Sequence, residues 1–526
     1  METTNSPKPN TRAILTYITL SLAYTQVGFS TTSISGFQAM HGFLAAYGHP
    51  DPISKTGYNM GTTPQQLAAS FVNFGTILGM LASVPLRTFL SRRHGLWFAC
   101  VVSVIGSGLQ LKPSNVAGLY ARRCVIGISN GLFLSFSKVY AVESAPAPYK
   151  TRVLRGFAVW LCAGSLLGAV TNNFTEKLRS SWAYKIPLTC HIAIPAALVV
   201  LLLFIPESPG WLVQKERVHE ARSALAMLRN CGLPSDVVDK ELLDMSVRVE
   251  AEHEIARGRT SPYLDIWRKE NRTRTILCFA LILSNSSSGI WLMLSYGTVM
   301  FQLAGVKQAF HASIYNNLAN LLGTILGLYL LRKSSIQRRT MMMVGHFIPG
   351  LCVLVVAITL TVNPDAWWAK GVVLVLLILH GFFYFSFSGV VARPICEDIL
   401  VEEGMKEETV RFGMVVNYVI AWLIAFTMPY FINPRELNWG PKVFYIWAAS
   451  NIITALFFFF FLPDMKKITV APTSKRDLQV DQRIENTDTL RSRSIQLILI
   501  HVYFSYLLVS LAVLMCLLES RAAHEN

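Results

Sequence analysis

Among the residues able to do chemistry, one permanent charge draws the eye first: Arg123 lies inside an apolar run, 116–141. An unpaired guanidinium at that depth in hydrocarbon costs at least a few kcal/mol, so it marks either a wet cavity or a partner. His191, His346 and His380 also fall in apolar runs. Imidazole can carry a proton near neutral pH, yet an isolated histidine in such a run is more often a hydrogen-bonded packing residue, and each is read so. The nine cysteines, among them Cys100, Cys124, Cys162, Cys278 and Cys352, have neither metal-ligand nor paired spacing and are read as packing. Metal-ligand clusters, nucleophile motifs and phosphate-cradling glycine loops are missing from the sequence, so no catalytic residue, metal or cofactor is assigned. What remains is recognition by hydrogen bonds and charge inside an apolar frame.

That frame is long. Of 526 residues, 52% are hydrophobic and only 15% charged, which is too apolar for ordinary soluble domains. The hydrophobicity comes in blocks of about 20 residues, the length a helix needs to cross roughly 30 Å of hydrocarbon. Blocks at 13–36, 64–86, 96–111, 116–141, 153–172 and 186–205 make a first six-helix bundle, 13–205. A polar, helix-forming stretch, 206–274, precedes further blocks at 275–303, 312–331, 341–360, 368–391, 412–432 and 442–462, a second bundle spanning 275–462. The expected fold class is an all-α membrane protein of two six-helix bundles related by an axis along the membrane normal, with a binding cleft between them near the midplane.

The formal net charge of +16 could point to nucleic acid, but Lys and Arg gather in short loops between apolar blocks rather than on one polar face, which excludes that partner. Lys8 and Arg12; Arg87, Arg92 and Arg93; Lys150, Arg152 and Arg155; Arg332, Lys333, Arg338 and Arg339; and Lys466 and Lys467 all fall on one side of a twelve-span count. The positive-inside rule makes that side cytoplasmic, together with residues 1–12, the loop 206–274 and the linker 463–494. Lys112, Lys177, Arg179 and Arg435 are exceptions on the outside. Residues 1–12 lack the layout of a signal peptide, so the first span is expected to direct insertion. A final apolar run, 495–518, is long enough to cross; it reads equally as an extra helix or as a segment lying at the interface. The expected partners are the lipid bilayer and a small-molecule substrate, the expected state is a monomer, and the plasma membrane is the default location.

Directly after the sixth block, Pro206-Glu207-Ser208-Pro209-Gly210-Trp211-Leu212-Val213 resembles the Pro-Glu-Ser-Pro-Arg-Trp-Leu sequence of sugar porters, a branch of the major facilitator superfamily, with Gly210 in place of Arg. Ala221, Leu225 and Leu228 continue the helix that follows it. Residues 123–131 resemble the family's fourth helix; Val139, Tyr140, Glu143 and Pro146 resemble its Val-Tyr-x-x-Glu-x-x-Pro end; residues 182–188 resemble Trp-x-Trp-Arg-Ile-Pro-Leu; and 463–466 resemble Pro-Glu-Thr-Lys. The resemblance covers about 28–467. It implies the major facilitator fold, alternating access, and charge-assisted contacts at helix ends that hold the halves shut on one side, with Glu143, Arg155, Glu207 and Glu397 as gating candidates. Where the family has Asp-x-x-Gly-Arg-Arg, this chain has Ser91-Arg92-Arg93-His94-Gly95, and its second copy, 334–339, keeps only the arginines. The network reads as eroded.

The same resemblance implies a midplane site that offers side-chain partners to each solute hydroxyl stripped of water. Residues 28–36 resemble Gly-Tyr-Asp-Thr-Gly-x-Ile-Ser-Gly, which puts Ser30, with Thr31 beside it, where proton-coupled members carry Asp. Asn285-Ser286-Ser287-Ser288-Gly289-Ile290-Trp291 stands where the family has Gln-Gln-x-x-Gly-x-Asn, and Asn417-Tyr418 resembles its Asn-Trp pair. Asn317 and Asn320 are placed to face the cleft, although the family's asparagine falls nearer Leu322. On the fifth helix its glutamine falls at Ala158, and Ser165 takes another polar place. The candidate solute contacts are thus Ser30, Thr31, Arg123, Ser165, Asn285, Ser286, Trp291, Asn317, Asn417 and Tyr418, with the aromatic run 382–385 read as packing. A hydroxyl at position 30 cannot titrate near neutral pH, so facilitated diffusion is favoured over proton symport. The implied function is transmembrane transport of a small polar organic solute, a sugar or sugar-like metabolite; the alternatives are a carrier of a non-sugar metabolite and a transport-inactive nutrient sensor. Asn173-Phe174-Thr175 is a glycosylation acceptor sequence on the outer side.

Overall fold

A computed structural model describes residues 11–52, 57–111, 116–146, 149–232, 234–258, 266–268, 271–333, 336–364, 366–400, 403–433 and 436–462. The linker 463–494, the apolar run 495–518, the motif at 463–466, and Lys8, Lys112, Arg435, Lys466 and Lys467 lie outside the described residues. The first six long helices and their connections are α1 (Thr11–Phe37), α2 (His41–Tyr47), the strands β1 (His49–Pro50) and β2 (Tyr58–Asn59), α3 (Thr62–Phe89), α4 (Arg92–Leu111), α5 (Val116–Ser144), α6 (Lys150–Thr175) and α7 (Trp182–Phe204). Three further helices follow, α8 (Pro209–Gln214), α9 (Val218–Arg229) and α10 (Asp236–Gly258). The second series is α11 (Arg272–Ser287), α12 (Ile290–Leu303), α13 (Ala309–Lys333), α14 (Arg338–Val362), α15 (Ala369–Phe383), α16 (Ala392–Ile399), α17 (Glu403–Ile432) and α18 (Val443–Phe461).

Among the described residues, eleven helices are long and apolar enough to cross a membrane, α11 with α12 and α15 through α16 each counting as one. The 27-residue α1 is not among them. Its Thr16, Thr19, Thr25, Gln26, Ser30, Thr32, Ser33 and Ser35 are all buried, so its polar groups face protein rather than lipid and the helix needs less hydrophobicity to sit there. Two expected single spans are interrupted. The block 275–303 breaks at Ser288-Gly289, where Gly289 has φ +82°, a left-handed backbone that glycine adopts without a Cβ clash. The block 368–391 passes through a π-helical segment, Tyr384–Ser388, and such segments often mark functional sites.

The chain groups into two compact units. Unit 1 comprises Met1–Ser30, Gly75–Ser165 and Lys185–Thr260. Within it, α1 and α6 cross backbone to backbone: a Cβ on Gly28 would fall 2.0 Å from the Leu161 carbonyl oxygen, and one on Gly164 would fall 2.0 Å from that of Thr25. Lipid tails give helices no hydrophobic reason to associate, so small residues that allow close van der Waals contact hold such crossings. The Tyr24 ring stacks on Phe157 beside the crossing, with centroids 4.3 Å apart. The amphipathic α8, α9 and α10 bury Trp211, Leu212, Ala221, Leu225, Val238 and Leu242 in a cluster of their own, and Asn230, at φ 55°, ends α9 with a left-handed cap.

Unit 2 comprises Thr31–Phe74, Leu166–Tyr184 and Ser261–Asn526. Helices α1, α3, α6 and α7 are therefore each divided between units, and one end of the first helix series belongs with the whole of the second. Polar contacts inside unit 2 hold that end. Thr298 N–H donates to Ser35 Oγ at 3.0 Å, Gln302 Nε2 to the Ala39 carbonyl at 3.3 Å, and Asn73 Nδ2 to the Ala421 carbonyl at 3.3 Å. The hairpin of β1 and β2, with His49 opposite Asn59, lies in the same unit. Cys278, Leu281, Met342, Ile395, Cys396 and Phe458 pack together where α11, α14, α16 and α18 meet.

Candidate functional site

The break between α11 and α12 gathers the amides and hydroxyls that the sequence singled out in the second series. The run Asn285 to Gly289 is rich in serine, whose hydroxyls compete for backbone groups and weaken a helix. Ser288 Oγ donates to the Asn285 carbonyl at 2.7 Å and accepts from Ile290 N–H at 3.2 Å, capping both helix ends at once. The neighbouring side chains point to partners on other helices. Asn285 Nδ2 donates to Tyr384 Oη at 2.8 Å, and Ser286 Oγ donates to Asn417 Oδ1 at 2.7 Å. One turn on, the Trp291 ring meets Tyr418 edge-on, with centroids 5.2 Å apart.

Five of the ten predicted solute contacts, Asn285, Ser286, Trp291, Asn417 and Tyr418, thus converge at one place inside unit 2. Asn317 is buried on α13, but its Nδ2 is used on its own helix, donating to the Ser313 carbonyl at 2.8 Å. Asn320, one turn on, packs its Oδ1 against Gly381 of α15, where any Cβ would clash, and that oxygen has no hydrogen-bond partner among the described residues. Trp291 Nε1 is likewise enclosed without a hydrogen-bond partner among the described residues. Thr31 is half-buried on α1. The sequence reading missed Ser288 and Asn451, and it took Tyr384 for packing. An intramembrane Asn at 451 and a phenol within reach of an amide were the signals available.

In unit 1, Ser30 Oγ accepts from Asn130 Nδ2 at 3.1 Å, so the hydroxyl in the place of the family's Asp is engaged by a neutral amide. Ser165 Oγ donates to the Gly28 carbonyl at 3.3 Å, a contact that serves the α1–α6 crossing. Arg123 is almost wholly enclosed and within electrostatic reach of His191. His191 sits in a polar knot with Ser107 Oγ at 2.7 Å and the Gln26 amide. Asn130 lies in the run 123–131, yet residue type alone did not separate it from its neighbours.

The predicted gating acids of unit 1 are held tightly. Arg92 clasps Glu143 through two nitrogens, the shortest contact being 2.8 Å, with side chains 6% and 15% exposed. Ser208 Oγ also donates to Glu143, and Arg92 reaches Gln214 Oε1 at 3.0 Å. Glu207 accepts from Ser91 Oγ at 2.5 Å and from the Arg93 and Ser208 N–H groups. In the network that reads as eroded, Ser91 takes up Glu207, while Ser208, a serine the resembled motif also has, takes up Glu143. Gly210 belongs to this packing, because a Cβ there would lie 2.8 Å from Glu143 Cγ. Arg155 is half-buried early on α6. In unit 2, Glu397 is half-buried on α16, while its neighbour Asp398 is the acid paired with Arg338. Asn173 lies inside α6 with its side-chain oxygen enclosed.

The model of the "Sugar (and other) transporter" family matches residues 16–474. The chain belongs to that family. Similar proteins include the major facilitator-type transporter ecdD of Aspergillus rugulosus, 26% identical over 86% of this chain and 85% of its own length, and the probable glucose transporter rco-3 of Neurospora crassa, 27% identical over 88% and 77%. The high glucose sensor RGT2 of Saccharomyces cerevisiae is 24% identical over 88% of this chain, which spans 60% of that sensor's length. The inward open conformation of the xylose transporter XylE from E. coli matches with a TM-score of 0.70 over 89% of this chain and 99% of its own, at 17% identity. The sugar transporter fold expected from the sequence is therefore present: the protein is a multi-pass all-α membrane protein of the major facilitator type and not an enzyme.

Proposed function

We propose that this sugar-transporter-family chain is a monomeric carrier that moves a sugar, or a related less hydroxylated solute, by alternating access of its two six-helix bundles. The observation that carries the reading is the convergence of Asn285, Ser286 and Asn417 with Trp291 and Tyr418 at a helix break. Amides and hydroxyls there can exchange their mutual hydrogen bonds for solute hydroxyls, and an aromatic pair offers the apolar face a sugar ring needs. Within unit 1, Arg123, Ser30 and Ser165 are proposed as contacts in their own right, and Thr31 and Asn317 are lesser proposed contacts within unit 2. Passive transport is favoured because Ser30 meets Asn130 and supplies no carboxylate to load with a proton. The cytoplasmic face is proposed at α8–α10, with Glu143, Arg155, Glu207 and Glu397 at the gate, and the plasma membrane is the proposed location.

The test is solute flux in reconstituted vesicles with hexoses, pentoses, polyols and organic acids, with and without a proton gradient. Flux of a sugar down its gradient, lowered at least about tenfold by Asn417→Ala with insertion intact, is the expected result. Accumulation driven by the proton gradient would defeat the passive reading, and unchanged flux in Asn417→Ala, Asn285→Ala and Arg123→Ala would remove the site. The similarity to a glucose sensor favours a second reading, a sensor that binds without transporting. Solute-dependent stabilisation of a protein with no flux would select it.

A further inference from the structure

The broken helix leaves the Ser288 carbonyl as a backbone group that neither of its pieces satisfies. Gly289 is the N-cap of α12, and the Gly289 carbonyl receives Met293 N–H, so the Ser288 carbonyl lies one residue outside the reach of that helix. In a membrane interior such a group has no water to turn to. Both of its lone pairs are taken from elsewhere: His380 Nε2, on α15, lies 2.9 Å away, and Asn451 Nδ2, on α18, lies 3.0 Å away. Asn451 Nδ2 also points at the Trp447 carbonyl at 2.8 Å, so two carbonyl acceptors fix which end of this amide is nitrogen.

The tautomers follow. A carbonyl accepts only, so His380 carries its proton on Nε2. Asn451 Oδ1 faces His346 Nδ1 at 3.1 Å, so His346 carries its proton on Nδ1, and its Nε2 accepts from Ser388 Oγ at 2.9 Å. An unbroken chain therefore runs from Ser388 through His346 and Asn451 to the Ser288 carbonyl. Ser388 closes the π-helical segment, whose first residue, Tyr384, takes the Asn285 amide directly. The irregular stretch of one helix is thus keyed to the break in another at two points, one direct and one relayed, all within unit 2.

We propose that His380 and Asn451 are positioning residues that pin the Ser288 carbonyl and make residues 288–289 a fixed pivot for α12, with His346 and Ser388 keying that pivot to the π-helical segment. Motion of α12 then takes the form of a swing about Gly289, because the residue before it is held to α15 and α18 while Gly289 itself has the backbone freedom to turn. The clamp deepens the carrier reading, since α12 bears Trp291 just beyond the pivot.

Hydrogen–deuterium exchange on the purified full chain tests the clamp without requiring a known solute. His380→Leu and Asn451→Leu each delete one donor, and amide exchange over α12 should rise on the order of tenfold while exchange over α3–α5 stays as in the parent. His380→Gln keeps a donor near the position of Nε2 and should restore most of the protection. Ser388→Ala, which removes only the hydroxyl that donates to His346, should give a smaller rise in the same segment and serves if either leucine variant fails to fold. Unchanged exchange over α12, a rise spread evenly over the chain, or a glutamine variant as exposed as the leucine one would each overturn the proposal. Sugar flux separates this from the carrier reading: a parent without flux but with a variant-sensitive α12 would sink the carrier and leave the clamp standing. A parent with flux and an insensitive α12 would do the reverse.

Discussion

Breaking the Arg92–Glu143 pair from one side should harm the protein more than removing both partners. At 2.8 Å, and with an effective dielectric constant of about 20, the gross attraction is about 6 kcal/mol, most of it offset by the desolvation of two enclosed ions. Glu143→Gln leaves Arg92, 6% exposed, with only neutral acceptors at Gln214 and the Arg87 carbonyl. The expected loss is about 3–5 kcal/mol, and Arg92→Met should cost a similar amount by stranding the carboxylate. The pair Arg92→Met with Glu143→Leu replaces two charges by apolar groups of similar volume and should recover much of the loss. The assay is the fraction of detergent-extracted protein that stays monodisperse after a fixed heat step, compared across the parent, both single variants and the double variant. Single variants as heat-resistant as the parent, or a double variant that loses the sum of the two, would refute the claim that this pair is a buried, mutually dependent unit.

Gly289→Ala places a Cβ 3.1 Å from the Trp447 ring at φ +82°. The left-handed backbone alone should cost about 1–2 kcal/mol, read as lower heat survival together with slower flux. Trp291→Phe deletes an enclosed N–H that has no hydrogen-bond partner among the described residues, so heat survival should hold or rise; a fall would mean that the indole nitrogen is engaged in the folded protein. Glu176, just past the end of α6, has a carboxyl raised above its ordinary range by burial, against the opposing pull of His311 and Lys177. A group whose folded-state pKa is raised stabilises when protonated and loses that contribution as pH rises through the folded value. Glu176→Gln should therefore be more heat-resistant than the parent at neutral pH, with the gap closing in acid, and a gap that widens in acid would contradict the sign.

The spans were legible because hydrocarbon enforces a length and an apolar content that no soluble helix needs, and α4 (Arg92–Leu111) and α14 (Arg338–Val362) fall almost where hydropathy puts them. The breaks were not. Ser288-Gly289 reads as a polar patch in one span because serine and glycine are tolerated inside transmembrane helices, and only the φ of Gly289 shows that two helices meet there. At the candidate site, residue type singled out Asn285, Ser286 and Asn417, which the structure gathers at the helix break, since amides and hydroxyls in apolar runs seek each other. It could not say that Asn317 would turn back on Ser313, because an amide on α13 reaches its own helix as easily as a neighbour. The register of α13 decides that, and hydropathy carries no register. Glu397 and Asp398 pose the same problem: two adjacent acids point to different sides of α16, and only the geometry selects Asp398 for Arg338.

A single substitution of chemistry recurs through the molecule. Ser30 stands where proton-coupled relatives of the resembled family carry Asp, Ser91 falls in the loop that has lost its Asp, and Ser286 stands in a run where that family has glutamines. Each hydroxyl is engaged by a neighbour, respectively Asn130, Glu207 and Asn417. A hydroxyl is both donor and acceptor and needs no counter-charge, so the joints of Ser30 with Asn130 and of Ser286 with Asn417 close without the desolvation cost of an ion pair. They also do not titrate near neutral pH. At position 30 the serine offers no proton-binding group, which is what the proposed passive flux requires. At position 91 it leaves Glu207 as the charged partner of a neutral loop residue, so the charge that remains in this network is concentrated on Glu143 and Glu207 with Arg92 and Arg93. Neutral joints at the proposed solute contacts and a few enclosed charges at the proposed gate would place the sensitivity to salt at that gate.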